Sequence, residues 1–125
     1  MSRFMAFRLL VVDDEPAVRR YLSALLSGAG YEIVTAADIP SAMHVMAAKA
    51  ADLLITDVRL DGYNGLHLVA MAPDPIPSVV LTAYDDAAVE AEARQLGAEF
   101  FLKPVDAKAL LSAVARLLSG LAVPR

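Results

Sequence analysis

Asp13 and Asp14 stand directly after the apolar run Leu9-Leu10-Val11-Val12. Asp57 follows Leu53-Leu54-Ile55-Thr56, Thr82 ends Val79-Val80-Leu81, and Lys103 follows Phe100-Phe101-Leu102. The polar groups are carboxylates, a hydroxyl and an ammonium. Carboxylates gathered in one place repel one another and call for a counter-charge. A hard cation with oxygen ligands supplies it, and Mg²⁺ suits a site of one or two carboxylates, water and a phosphate. Lys103 adds a second positive charge, and Thr82 can donate a hydroxyl hydrogen bond. Such a set can accept a phosphoryl group, because that transfer needs mostly positioning and electrostatics. Asp57 is the expected nucleophile, since it stands alone at its strand end with the acidic pair opposite.

The elements that must bring these residues together follow from the pattern of the chain. Short apolar runs with no alternation read as buried parallel strands. They are expected at Phe7 to Val12, Glu32 to Ala36, Leu53 to Thr56, Ser78 to Thr82 and Ala98 to Leu102. Helical periodicity fills the gaps. Pro16 to Ser27 starts on a proline and stops at Gly28 and Gly30. Pro40 to Lys49 follows the capping residue Asp38. After a Gly-containing loop from Asp61 to Gly65, a short helix runs from Leu66 to Ala72 and is ended by Pro73, Pro75 and Pro77. Asp85 opens a helix to Leu96, and Asp106 caps a last helix whose apolar stripe reaches Leu121. Alternating strands and helices predict an α/β fold, a doubly wound parallel sheet with helices on both faces. Ligands of such sheets sit at the carboxyl ends of the strands. Asp13 and Asp14 can meet Asp57 there only if the first and third strands are neighbours.

Length and composition bound the rest. The 125 residues suit one domain over 1–125, with a core from about 7 to 121. Hydrophobic residues make up 58% of the chain, which favours a buried core over disorder. A net charge of −4 speaks against nucleic-acid binding by this segment. The absence of cysteine excludes disulfides, thiolate catalysis and cysteine-ligated zinc. Met1 to Arg8 lacks a signal-peptide core, and no stretch reaches membrane-spanning length, so a cytoplasmic protein that does not contact membrane is expected.

Each polar element is ordinary when taken alone. Acidic residues favour helix N-termini, threonine suits strand ends, and Lys-Pro suits a surface turn. Their combination is not ordinary. Leu10-Val11-Val12-Asp13-Asp14-Glu15-Pro16, Leu54-Ile55-Thr56-Asp57-Val58-Arg59-Leu60, Val80-Leu81-Thr82-Ala83 and Phe101-Leu102-Lys103-Pro104 resemble the receiver domain of two-component response regulators. The resemblance covers about Phe7 to Leu121. It implies a five-stranded flavodoxin-like sheet of order 2-1-3-4-5 with five flanking helices. It implies that Asp57 takes a phosphoryl group from a phosphohistidine on a sensor histidine kinase or a histidine phosphotransfer protein. Asp14, Asp57 and the backbone carbonyl of Arg59 would bind Mg²⁺, with Asp13 acting through water. Thr82 and Lys103 would contact the phosphoryl group, and Lys103-Pro104 would be a cis peptide. Thr82 and Phe100 would form the switch, Phe100 standing where an aromatic residue turns inward on phosphorylation. Without a hydroxyl, Phe100 is expected to discriminate the two states less by hydrogen bonding than tyrosine would.

Some positions depart from the family pattern. Asp61 replaces a usual proline, which predicts a less rigid loop and more negative charge near the metal. Asn64-Gly65 replaces a usual Asp-Gly pair, and the third helix is short. Arg59 and Tyr84 flank the path of an attacking water in receivers. Arg59 is expected to pair with Asp14 or Asp61, and Tyr84 to cover the acyl phosphate partly. The face of helix four, strand five and helix five is the candidate for self-association or output contact. The expected role is therefore a switch rather than a turnover enzyme. The alternative is a pseudo-receiver that binds partners without accepting phosphate. Aspartyl-phosphate hydrolases would want an acid where Arg59 stands, and a flavodoxin would want small hydroxyl residues where Asp13 and Asp14 stand. His44 and His67 read as ordinary helix residues.

Overall fold

Leu9, Leu10, Val11 and Val12 are all at most 1% exposed, so strand β1 (Arg8–Val12) is covered on both faces. The computed structural model describes residues 6–72 and 75–121. Arg3, Phe4, Pro73 and the last residues from Ala122 lie outside those ranges. Strands β2 (Glu32–Ala36), β3 (Leu53–Asp57), β6 (Ser78–Thr82) and β7 (Glu99–Leu102) join β1 in one sheet of order β2-β1-β3-β6-β7. Every pairing in it is parallel. Counted over the five main strands, this is the order 2-1-3-4-5.

Successive side chains of a strand point to opposite faces. Leu9 and Val11, with Leu53, Ile55, Val79 and Leu81, face helices α1 (Pro16–Gly28) and α5 (Ala107–Leu118). Leu10, Val12 and Leu54 face α2 (Ile39–Ala47) and α3 (Leu66–Ala70). Val80 packs with Leu66 and with Ala93 of α4 (Ala87–Gln95). Helices therefore cover both faces, and the loops after the strands gather at one rim.

Several boundaries differ from expectation for local reasons. The carboxylate that caps α4 belongs to Asp86, not Asp85: it accepts the N–H groups of Ala88 and Val89 at 2.9 and 3.3 Å. Helix α2 starts at Ile39 and stops at Ala47, and Lys49 lies in the left-handed region at φ 54°. Helix α3 ends at Ala70, ahead of the prolines. Helix α5 ends at Leu118, which leaves Leu121 exposed rather than on the buried stripe.

The larger difference lies in the loop after β3. Arg59–Leu60 (β4) and Tyr63–Asn64 (β5) pair antiparallel around Asp61 and Gly62, whose φ angles are 46° and 86°. Two successive residues with positive φ make the two-residue hairpin turn for which Asp-Gly is favoured. The segment expected as a Gly-containing loop thus carries a short antiparallel ladder of its own.

Candidate functional site

The parallel register sets the site. Strand β3 ends on Asp57, which lies opposite Leu81, and β6 ends on Thr82, which lies opposite Leu102. The Asp13 N–H donates to the Ala36 carbonyl at 3.2 Å, carrying the ladder one step past β1. The Lys103 N–H donates to the Thr82 carbonyl at 2.8 Å, carrying it one step past β7. Four neighbouring strands thus deliver Asp13, Asp57, Thr82 and Lys103 to a common edge. The Lys103-Pro104 peptide is cis.

Lys103 reaches back across that edge. Its ammonium lies 2.7 Å from Asp13 Oδ2 and 3.0 Å from Asp57 Oδ2. Burial alone would lower its pKa. Hydrogen bonds from the ammonium to Asp13 and Asp57, together with their charges, outweigh that effect and hold the pKa above the ordinary lysine value. Lys103 is therefore a fixed cation between two acids.

The carboxylates differ in setting. Asp13 is buried, its Oδ1 accepts the Glu15 N–H at 2.9 Å, and its backbone carbonyl accepts from the Arg19 guanidinium. Asp14 is exposed, and its Oδ2 accepts the Asp61 N–H of the hairpin turn at 3.1 Å. Asp57 is 8% exposed, and its Oδ1 accepts the Arg59 N–H at 3.3 Å. One carboxylate oxygen from each of the three lies within 4.8 Å of the others. A single lysine cannot offset three carboxylates, and an all-oxygen donor set suits a hard divalent cation. The residues fit the expected metal.

Thr82 is buried, and its Oγ1 accepts the Tyr84 N–H at 3.2 Å, which leaves the hydroxyl hydrogen for another acceptor. Phe100 lies opposite Val80 and packs, partly buried, against the cluster of Val58, Leu66, Val80, Ala93 and Ala98. His44 and His67 are exposed helix residues. Arg59 does not pair with Asp14 or Asp61. Its guanidinium lies 3.7 Å from the centroid of the Tyr84 ring, and no ion pair of Arg59 occurs among the described residues. Asp61 contributes its backbone N–H, not its carboxylate, to the acidic cluster.

One residue of the site escaped the sequence reading. A Cβ on Gly65 would fall 1.8 Å from the Asp57 carbonyl oxygen and 2.8 Å from Thr56 Oγ1. The Gly65 N–H also donates to the Val58 carbonyl at 2.6 Å. Gly65 is required by close approach, since its φ of −62° is open to any residue. The Asn64 carboxamide accepts the Leu66 N–H at 2.9 Å, turning the chain from β5 into α3.

Comparison with known proteins follows the geometry. The profile of the response regulator receiver domain matches residues 9–115. The response regulator protein FleR of Pseudomonas aeruginosa is 39% identical over 117 residues, which are 90% of this chain and 24% of that protein. The chain spans about a quarter to a half of the length of the curated relatives it matches. Among solved structures, the chemotaxis protein CheY4 of Vibrio cholerae is 29% identical with a TM-score of 0.77, over 92% of this chain and 100% of that one. A response regulator protein from Burkholderia pseudomallei is 25% identical with a TM-score of 0.79, over 93% of this chain and 73% of that one. That structure contains a phosphorylated aspartic acid, a calcium ion and citrate.

Proposed function

The chain belongs to the response regulator receiver domain family, and from that premise we propose that it is the phosphoacceptor switch of a two-component or phosphorelay pathway. The observation that carries this reading is Lys103 held between Asp13 and Asp57 at 2.7 and 3.0 Å, beside the Thr82 hydroxyl. The phosphorylated aspartate and divalent ion of the Burkholderia relative support it.

In this reading the P–N bond of a phosphohistidine breaks, its electron pair stays on the imidazole nitrogen, and a P–O bond forms to an Asp57 carboxylate oxygen. Lys103 moves from a carboxylate to a phosphoryl oxygen, and Thr82 turns its hydroxyl hydrogen to another. Neither group needs to gain or lose a proton. Asp14, Asp57 and the Arg59 carbonyl would hold Mg²⁺, and Asp13, with both oxygens already engaged, would act through water. The metal supplies positive charge to the phosphoryl oxygens. A cleft lined by Glu15, Val18, Tyr21, Ala83, Pro104 and Val105 opens beside Lys103 and offers the donor a mainly apolar seat. Loss of phosphate to water restores the carboxylate. The protein acts as a switch, not as an enzyme with turnover, and works in the cytoplasm with a sensor histidine kinase or histidine phosphotransfer protein. Thr82 and Phe100 carry the signal toward the face of α4, β7 and α5, where a second copy or an output partner would dock.

The test is intact-protein mass after incubation with a small acyl-phosphate donor, with and without Mg²⁺, beside Asp57→Asn. One Mg²⁺-dependent phosphate adduct, lost in Asp57→Asn, is the expected result. A folded chain that takes no phosphate would be a pseudo-receiver that binds partners unmodified.

A further inference from the structure

Resting on the phosphoacceptor reading, we propose that Arg59 is a transferable phosphoryl ligand, held on the Tyr84 ring before phosphorylation and drawn onto the phosphoryl oxygens after it. The pair bridges the two segments that flank Asp57. The Arg59 backbone N–H is bonded to Asp57 Oδ1 at 3.3 Å, so this residue starts beside the acceptor oxygen. The Tyr84 N–H is bonded to Thr82 Oγ1 at 3.2 Å, so that residue starts beside the hydroxyl expected to grip the phosphoryl group. Between them, the guanidinium lies 3.7 Å from the ring centroid.

Two comparisons set the direction of transfer. In the resting state the acids of the cluster already have partners. Asp57 and Asp13 hold Lys103, and Asp14 holds the Asp61 N–H. The guanidinium sits on the ring instead, and at a half-exposed site a cation–π contact is weak. Phosphorylation puts new anionic oxygens on Asp57. A charge-assisted bond from a planar guanidinium to such oxygens is stronger than the contact with a solvated ring. Arg59 then leaves Tyr84, and the ring loses the contact that ties it to the β4–β5 hairpin.

The consequence is a second route for the signal. Thr82 would report phosphorylation to Phe100 through the core, and Arg59 would report it at the surface by releasing Tyr84 and the segment leading into α4. The two routes meet at Tyr84, whose N–H is bonded to Thr82 Oγ1.

Protons stacked on an aromatic face resonate upfield, so NMR reads this contact directly. The whole chain, incubated with acyl phosphate and Mg²⁺ and followed in parallel by intact mass, should lose the upfield shift of the Arg59 side-chain protons as the phosphate adduct forms. Asp57→Asn under the same conditions should keep it. In Arg59→Gln the Tyr84 ring resonances should move less than in the parent as phosphate is added, and an equal movement would overturn the proposal. An adduct that leaves the Arg59 shift in place would overturn the proposal and leave the phosphoacceptor reading standing. Loss of the shift in Asp57→Asn would also overturn it, by tracing the change to the donor or the ion. No adduct on a folded chain would overturn both.

Discussion

Helices α5 and α4 flank the same edge of the sheet and are held in different ways. Helix α5 buries Leu110, Ala113, Val114 and Leu118, and these join Leu22 and Leu26 of α1 over the strands. Helix α4 buries only Ala93, beneath partly covered Val89 and Phe100. Hydrophobic stabilisation grows with apolar area, at roughly 25 cal/mol per Å². An alanine contact supplies little of it. What α4 has instead is local: the Asp86 cap and the Glu90–Arg94 pair at 2.8 Å. An exposed pair of that spacing contributes only about 0.3–0.5 kcal/mol. The face of α1 and α5 is therefore the frame, and α4 is the element that can shift at least cost. It follows directly on Thr82 and Tyr84, where a phosphoryl group would act. Regions that move in switching are drawn from the less stable parts of a fold.

The frame can be broken most severely. Leu110→Ala should cost about 2–5 kcal/mol of global stability, as core truncations to alanine do. Urea unfolding would read this as a lower midpoint with little change in slope. Phosphate uptake should persist wherever the variant remains folded. An effect below 1 kcal/mol would mean that the α5 face is not the frame.

The α4 end can be sharpened with a smaller change. Asp86→Ala removes an N-cap, which typically costs about 1 kcal/mol. Hydrogen exchange should quicken across Ala87–Gln95 while amides of α5 keep their protection. Equal acceleration in both helices would show that the two open together.

A still smaller effect is expected at α2. The Ser41 N–H donates to Asp38 at 2.8 Å, and this backbone bond, then the Ser41 side chain, lower the Asp38 pKa from its ordinary 3.8. A lowered carboxyl pKa adds stability that is complete above the ordinary value and is lost as pH falls through the folded one. Asp38→Asn should keep a cap but remove this titration. Its stability should fall less steeply than that of the parent below about pH 4. Parallel curves for the two proteins would refute that contribution.

How much of this was legible in the sequence varies with the range of the interaction. Buried parallel strands are continuous apolar runs, so the residues ending them could be read directly, and with them Asp13, Asp57, Thr82 and Lys103. The hairpin was signalled by Asp61-Gly62, but its strands are two residues each, too short to show alternation. Asp85 and Asp86 are adjacent and chemically equal, so only backbone geometry decides which one caps. Arg59 had three partners within reach of its long side chain, and sequence spacing does not rank a carboxylate against a ring. The demand on Gly65 arises where two separate turns of chain nearly touch, and no local pattern carries that.

Gly65 also shapes how the site would look in a mutational screen. The smallest side chain there would overlap the Asp57 carbonyl, 1.8 Å away, and so displace that residue without touching its carboxylate. A library scored by signalling output would rank position 65 with the acids and the lysine, although it carries no functional group. A census of chemistry and a census of sensitivity would disagree at this residue, and the disagreement would mark where the backbone of the site has no room to spare.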